Sequence, residues 1–197
     1  GAELHALNDF PLAAEGAAIF TIAGILIAVT ILLSVTPIGY IPVPNVTGAA
    51  TILHVPTIIG AILEGPWVGL VVGGAFGVFS LFLASQQPAG SPNAIFVDPI
   101  ISVVPRLFIG PVAWLVYTGL KSANMQLRLI SSAVAGTLTN TLLVIGAIAL
   151  RLNVPFFATL ASVSINMVLE LIVASVIVVA VVSALRGTAS GRTGSSV

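Results

Sequence analysis

The sequence predicts an all-α integral membrane protein, a bundle of six transmembrane helices. Two observations predict it. The chain is 58% hydrophobic and only 6% charged, whereas a soluble domain carries about 25% charged residues to face water. Its apolar residues also gather into segments near the roughly 20 residues needed to cross hydrocarbon, separated by breaks rich in proline, glycine or polar residues. Six Lys/Arg balance six Asp/Glu, so no basic field exists for a nucleic acid partner. Cysteine is absent, which excludes disulfides, thiolate metal sites and a cysteine nucleophile. The first residues lack a basic stretch with a cleavage site after it, and no signal peptide is expected.

The spans follow in order. Residues 17–35 form the first, ended by Pro37, Pro42, Pro44 and Gly48. The second, 49–63, is short for a crossing and closes at Glu64-Gly65-Pro66; a re-entrant half-helix is the other reading of it. The third is 67–84, followed by the polar connection SQQPAGSPNAIFVD. The fourth, 99–120, is interrupted by Pro105-Arg106 and Gly110-Pro111. A polar link from Lys121 to Arg128 leads to the fifth, 129–150, and a tight connection at Arg151–Pro155 to the sixth, 156–185, long enough to tilt. Residues 1–186 thus make one membrane domain, and the Gly/Ser-rich segment 187–197 reads as a flexible tail. With six spans, Lys121, Arg128, Arg186 and Arg192 share a side with both termini, and Arg151 lies opposite. The excess of basic residues in cytoplasmic segments then places both termini in the cytoplasm.

Glycine recurs every fourth residue at 65, 69, 73 and 77. Positions four apart share a helical face, so these make a groove where another backbone can approach. Packing within the bundle and docking of a partner are both consistent with it. Ala14 and Ala18, with Gly24 and Ala28 offset from them, give the first span a similar face.

Polar groups within the spans are few, and a charge at membrane centre costs about 2.5–3.5 kcal/mol on insertion scales. His54, Arg106, Asn140, Asn166 and Glu170 are set at similar depths, in the outer half of four different spans. Asn166 and Glu170 are i,i+4 and project from one face, as do Thr137, Asn140 and Thr141. Each has a structural alternative: a satisfied core histidine at 54, an arginine bonding carbonyls freed by Pro105, and asparagines as interhelical hydrogen bonds. Glu170 is hardest to explain that way, because a lone carboxylate there needs a partner. Together the five suggest a pocket open to the outside, with Phe82, Phe96 and Phe156 as aromatic candidates near its loops. No GxSxG, HExxH, P-loop or acidic metal pair occurs, so neither an enzyme nor a self-powered pump is expected, and no cofactor.

HVPTIIGAILEGPWVG, DPIISVVPRLFIG, TLTNTLLVIG and NMVLE, in this order and spacing, resemble the substrate-binding S components of energy-coupling factor (ECF) vitamin transporters. The resemblance implies high-affinity capture of a vitamin from outside and delivery across the membrane. It also implies docking on a transmembrane coupling subunit driven by two ATP-binding-cassette ATPases, with Ala14 and Ala18 matching the family's alanine spacing at that contact. The HVP and PRLFIG patterns resemble the pantothenate-type branch, in which Arg106 would suit a carboxylate. Riboflavin, a pyrimidine precursor, folate and cobalamin stay open as ligands. A self-sufficient proton-coupled transporter, with Glu170 and His54 carrying protons, is the competing reading; the inverted repeats typical of such folds are not evident.

Overall fold

The computed structural model describes the backbone of residues 2–44, 48–88 and 90–192, and within these the side chains of residues 16–187 other than residue 92. Helix α1 (Ala2–Val35) leads through a short turn into a two-stranded antiparallel hairpin, β1 (Tyr40–Pro42) and β2 (Ala49–Thr51), with Tyr40 opposite Thr51. Then come α2 (Val55–Glu64), α3 (Pro66–Ser85), a 3-10 segment at Pro92–Val97, and the pair α4 (Pro99–Ser102) and α5 (Val104–Gly119). Helix α6 (Met125–Leu152) and the pair α7 (Phe156–Ser162) and α8 (Ser164–Arg192) complete the order. Among the described residues, five segments are long and apolar enough to cross a membrane: Gly16–Val35, Pro66–Ser85, Pro99–Gly119, Met125–Leu152 and Ser164–Gly187. Large apolar side chains face outward, with Trp67 77% and Leu150 86% exposed. In water such a surface would drive association; in lipid it is the solvated face.

Several expected boundaries move, each for a local reason. The second span does not begin at residue 49, because 49–51 pair as β2 and Pro56 stands in the first turn of a helix that starts at Val55. Proline fits there, since the first N–H groups of a helix have no partner within it. At ten residues α2 is about 15 Å long. Helix α6 begins earlier than residue 129, because the Asn124 side chain caps it by accepting from Leu127 N at 2.8 Å. Arg128 therefore lies in its first turn rather than in a loop.

The fourth and sixth segments are each broken once. Pro105 lacks the N–H that would continue the ladder, and the chain kinks at Val103 between α4 and α5. The break at Val163 is flanked by hydroxyls that take up carbonyls, Ser162 Oγ donating to Thr159 O at 2.6 Å and Ser164 Oγ to Ala161 O at 2.8 Å. Asn153, in the left-handed region at φ 54°, ends α6. Backbone of α8 continues to Arg192, and residues 193–197, part of the expected tail, lie outside the described residues.

The glycine ladder packs inside the chain. A Cβ at Gly69 would meet Ala61 and the backbone of Gly110; one at Gly73 would meet the Arg106 carbonyl and Thr57; one at Gly77 would meet Ser102 and Val103. Helix α3 thus lies backbone to backbone against α4 and α5. Gly65 does not belong to that face: at φ 96° it is the turn between α2 and α3. The main apolar core lies beside this contact, built on Ile58, Ile109, Leu129 and Val178.

Replacing Gly73 with leucine forces apart backbones that have no flexible side chain to yield. Overpacking of this kind costs about 1–3 kcal/mol or more. The thermal midpoint of Gly73→Leu in detergent is expected to fall by several degrees; an unchanged midpoint would contradict the contact.

Candidate ligand-binding cavity

A cavity of about 700 Å³ opens at the hairpin end of the bundle, within the usual range for small-molecule sites of about 300–1,000 Å³. Its walls come from α3, α5, α6 and α8, and its rim from the hairpin, the 3-10 segment and α7. Four of the five predicted residues line it: Arg106, Asn140, Asn166 and Glu170.

Arg106 is 5% exposed. Pro105 cannot donate to the Ile101 carbonyl four residues earlier, and Arg106 Nη1 donates to that oxygen instead. The structural reading of this arginine therefore holds, and the guanidinium lines the cavity as well. Its carbon sits 5.3 Å from the Phe76 ring centre and 5.0 Å from that of Phe96, two cation–π contacts that hold the charge in the cavity wall. Its Nε has no hydrogen-bond partner among the described residues.

The two polar residues of α8 act on the hairpin. Asn166 Nδ2 donates to Ala49 O at 2.6 Å. Glu170 Oε1 accepts from Thr51 N at 2.7 Å and, more weakly, from Thr51 Oγ1 at 3.4 Å. The i,i+4 face predicted for this helix thus grips strand β2, so part of the cavity roof is bonded to its wall. Asn140, on α6, is 8% exposed, and its Oδ1 has no partner among the described residues.

His54 lies apart from the other four. It is fully buried, its Nε2 shares a 2.9 Å hydrogen bond with Thr137 Oγ1, and it is not among the residues lining the cavity. The late start of α2 puts it at the helix N-cap, from which it ties α2 to α6 one turn before Asn140. Of the aromatic candidates, Phe96 lines the cavity, while Phe82 and Phe156 do not. Phe76 was missed, though it lies three residues beyond Gly73, on the face that packs against α5. Thr51 and Tyr40 also line the cavity, and no sequence signal marked either.

At the same end Asp98 caps α4, accepting from Ile100 N at 2.9 Å, and pairs with Arg151 at the end of α6. This ties the 3-10 segment carrying Phe96 to α6. The hydrogen bond from Arg151 holds the Asp98 carboxyl below its ordinary value of 3.8. A carboxyl depressed on folding stabilises above its unfolded pKa, and that contribution is lost as pH falls through the folded value. Wild type is therefore expected to melt slightly above Asp98→Asn at pH 7, with the two converging as pH drops below about 3.8. A gap that persists unchanged to pH 3 would remove the ion pair as its cause.

The family described as "ECF transporter, substrate-specific component" matches residues 20–187. The chain is 34% identical over 157 residues to the pantothenic acid transporter PanT of Lactococcus lactis subsp. cremoris (strain MG1363), covering 68% of this chain and 76% of that protein. It is 28% identical over 116 residues to the pantothenate transporter PanT of Leuconostoc mesenteroides subsp. mesenteroides, covering 57% of each. With a family match across nearly the whole apolar region and a cavity at one end of a helical membrane bundle, the chain belongs to the substrate-specific components of ECF transporters, membrane subunits for vitamin uptake rather than enzymes.

Proposed function

We propose that this chain binds pantothenate and delivers it across the membrane as the substrate-specific subunit of an ATP-driven importer. The observation that carries the reading is the Arg106 guanidinium in the wall of a mostly apolar cavity, in a chain similar to two pantothenate transporters. Pantothenate has a carboxylate at one end, an amide in the middle, and a gem-dimethyl group between two hydroxyls at the other. Arg106 takes the carboxylate by charge-assisted hydrogen bonds, Phe76 and Phe96, which lie against Arg106, cover the two methylenes beside that carboxylate, and Asn140 and Asn166 serve the amide. Glu170 keeps Oε2 for a ligand hydroxyl while Oε1 holds Thr51. His54 supports the site through Thr137 rather than by touching the ligand.

In this reading α2 counts as a sixth, short pass, with the β2 strand completing its depth. Residues 1–186 act as one domain ahead of the tail 187–197. Both termini lie in the cytoplasm, and the hairpin end faces outside. The ATPases and the transmembrane coupling subunit are separate chains. The docking face on α1 is supported by Ala18, Gly24 and Ala28, all exposed, with none of the described residues within 4 Å of a Cβ at Gly24. Ala14, the other residue of that face, has a side chain outside the described residues.

Isothermal titration of the purified chain with pantothenate tests the ligand. Binding is expected, and Arg106→Gln should weaken it by roughly 10- to 100-fold, the loss of a charged hydrogen bond worth about 1.5–3 kcal/mol. Binding of another vitamin with none for pantothenate would overturn the assignment. Ala18→Leu is expected to bind normally yet lose uptake once reconstituted with the coupling subunit and ATPases; full uptake by that variant would take the docking face off α1.

A further inference from the structure

At the end of the bundle opposite the hairpin, two arginines meet on one tyrosine. Tyr117, near the end of α5, is 5% exposed. Arg128, in the first turn of α6, lays its guanidinium carbon 4.0 Å from the centre of the Tyr117 ring, and its Nε donates to Tyr117 O at 3.2 Å. Arg186, one residue before the described side chains of α8 end, stands 5.2 Å from the same ring centre. Its Nη1 donates to the Tyr117 hydroxyl, and Nη2 makes a long bond of 3.4 Å to Ile62 O at the end of α2.

Among the described residues neither arginine has an acidic partner. The ion pair found among the described residues is Arg151–Asp98, at the other end of the bundle. Glu64, at the end of α2, reaches neither guanidinium within ion-pair distance. Both terminal nitrogens of Arg128 are without a protein acceptor among the described residues. Arg128 also stands beside the positive end of the α6 dipole, where a cation is disfavoured and an anion stabilised. Exposed Lys121 adds a further positive charge on the link between α5 and α6.

Depth identifies the kind of anion. Arg128 begins one membrane-crossing segment and Arg186 ends another, so both lie where an apolar span meets the lipid headgroups. Tyrosine is itself suited to that boundary, and basic pockets between spanning helices take acidic headgroups. We propose that Arg128 and Arg186, both packed on Tyr117, form a headgroup site for an anionic phospholipid, whose phosphate accepts hydrogen bonds from their guanidinium groups. The site is separate from the ligand cavity and does not rest on which vitamin that cavity takes.

The test offers the full-length chain in detergent equal amounts of phosphatidylglycerol and phosphatidylcholine with the same acyl chains, and reads retained lipid by native mass spectrometry. Phosphatidylglycerol should be retained in preference, the preference should shrink as salt is raised, and Arg128→Gln should reduce it to the phosphatidylcholine level. Equal retention of the two lipids, or a preference unchanged in Arg128→Gln, would overturn the proposal. A parallel arm adds inorganic phosphate alone. Thermal stabilisation by phosphate matching that of phosphatidylglycerol would assign the site to a free anion and also overturn it. If Arg128→Gln loses its monodisperse elution, the wild-type preference and its salt dependence decide.

Discussion

The absence of a side chain at Gly73 sets the rest of the molecule. The Arg106 carbonyl occupies the space a Cβ would need, so α3 and α5 lie as close as two backbones can. Gly69 against Gly110 and Gly77 against Val103 extend that contact along the helix pair. Lipid offers no hydrophobic drive for helices to associate, and close packing has to supply the attraction. The same contact decides where Arg106 can point. With its backbone held against α3, its guanidinium lies between Phe76 of α3 and Phe96 of the 3-10 segment, in the cavity wall.

A second constraint is that backbone groups away from water need partners within the protein. Pro105 kinks the chain and frees the Ile101 carbonyl, and the next residue, Arg106, repairs the loss. Strand β2 ends at Thr51 beside α8, and Glu170 takes its N–H while Asn166 takes the Ala49 carbonyl. In both places a polar side chain that satisfies the backbone also faces the cavity. Structural and ligand-binding readings of these residues are therefore not rivals. The proposed binding chemistry uses what remains of each group after the backbone is served.

The two ends of the bundle are built differently. At the hairpin end, short irregular pieces surround an open space, with Asp98 and Arg151 joining the 3-10 segment to α6. At the other end, Arg186 draws α2, α5 and α8 together around Tyr117, and Arg128 packs on the same ring. An opening on one side and a cross-tied cluster on the other suit a subunit that receives its ligand from one face.

Composition and local spacing were enough to determine the membrane class, the order of the apolar segments, the break at Pro105 and the shared face of Asn166 and Glu170. These depend on neighbours in sequence: apolar runs, proline's missing N–H, and the helical repeat. The same reasoning brought Arg106, Asn140, Asn166 and Glu170 to similar depth, and the cavity unites them. Only the tertiary structure decided that residues 49–51 pair as a strand, that His54 turns away to Thr137, and that Glu170 bonds a residue 119 positions earlier. Each of these follows from which helix lies beside which and how it is rotated. That is set by contacts between residues far apart in the chain, and no local pattern records them.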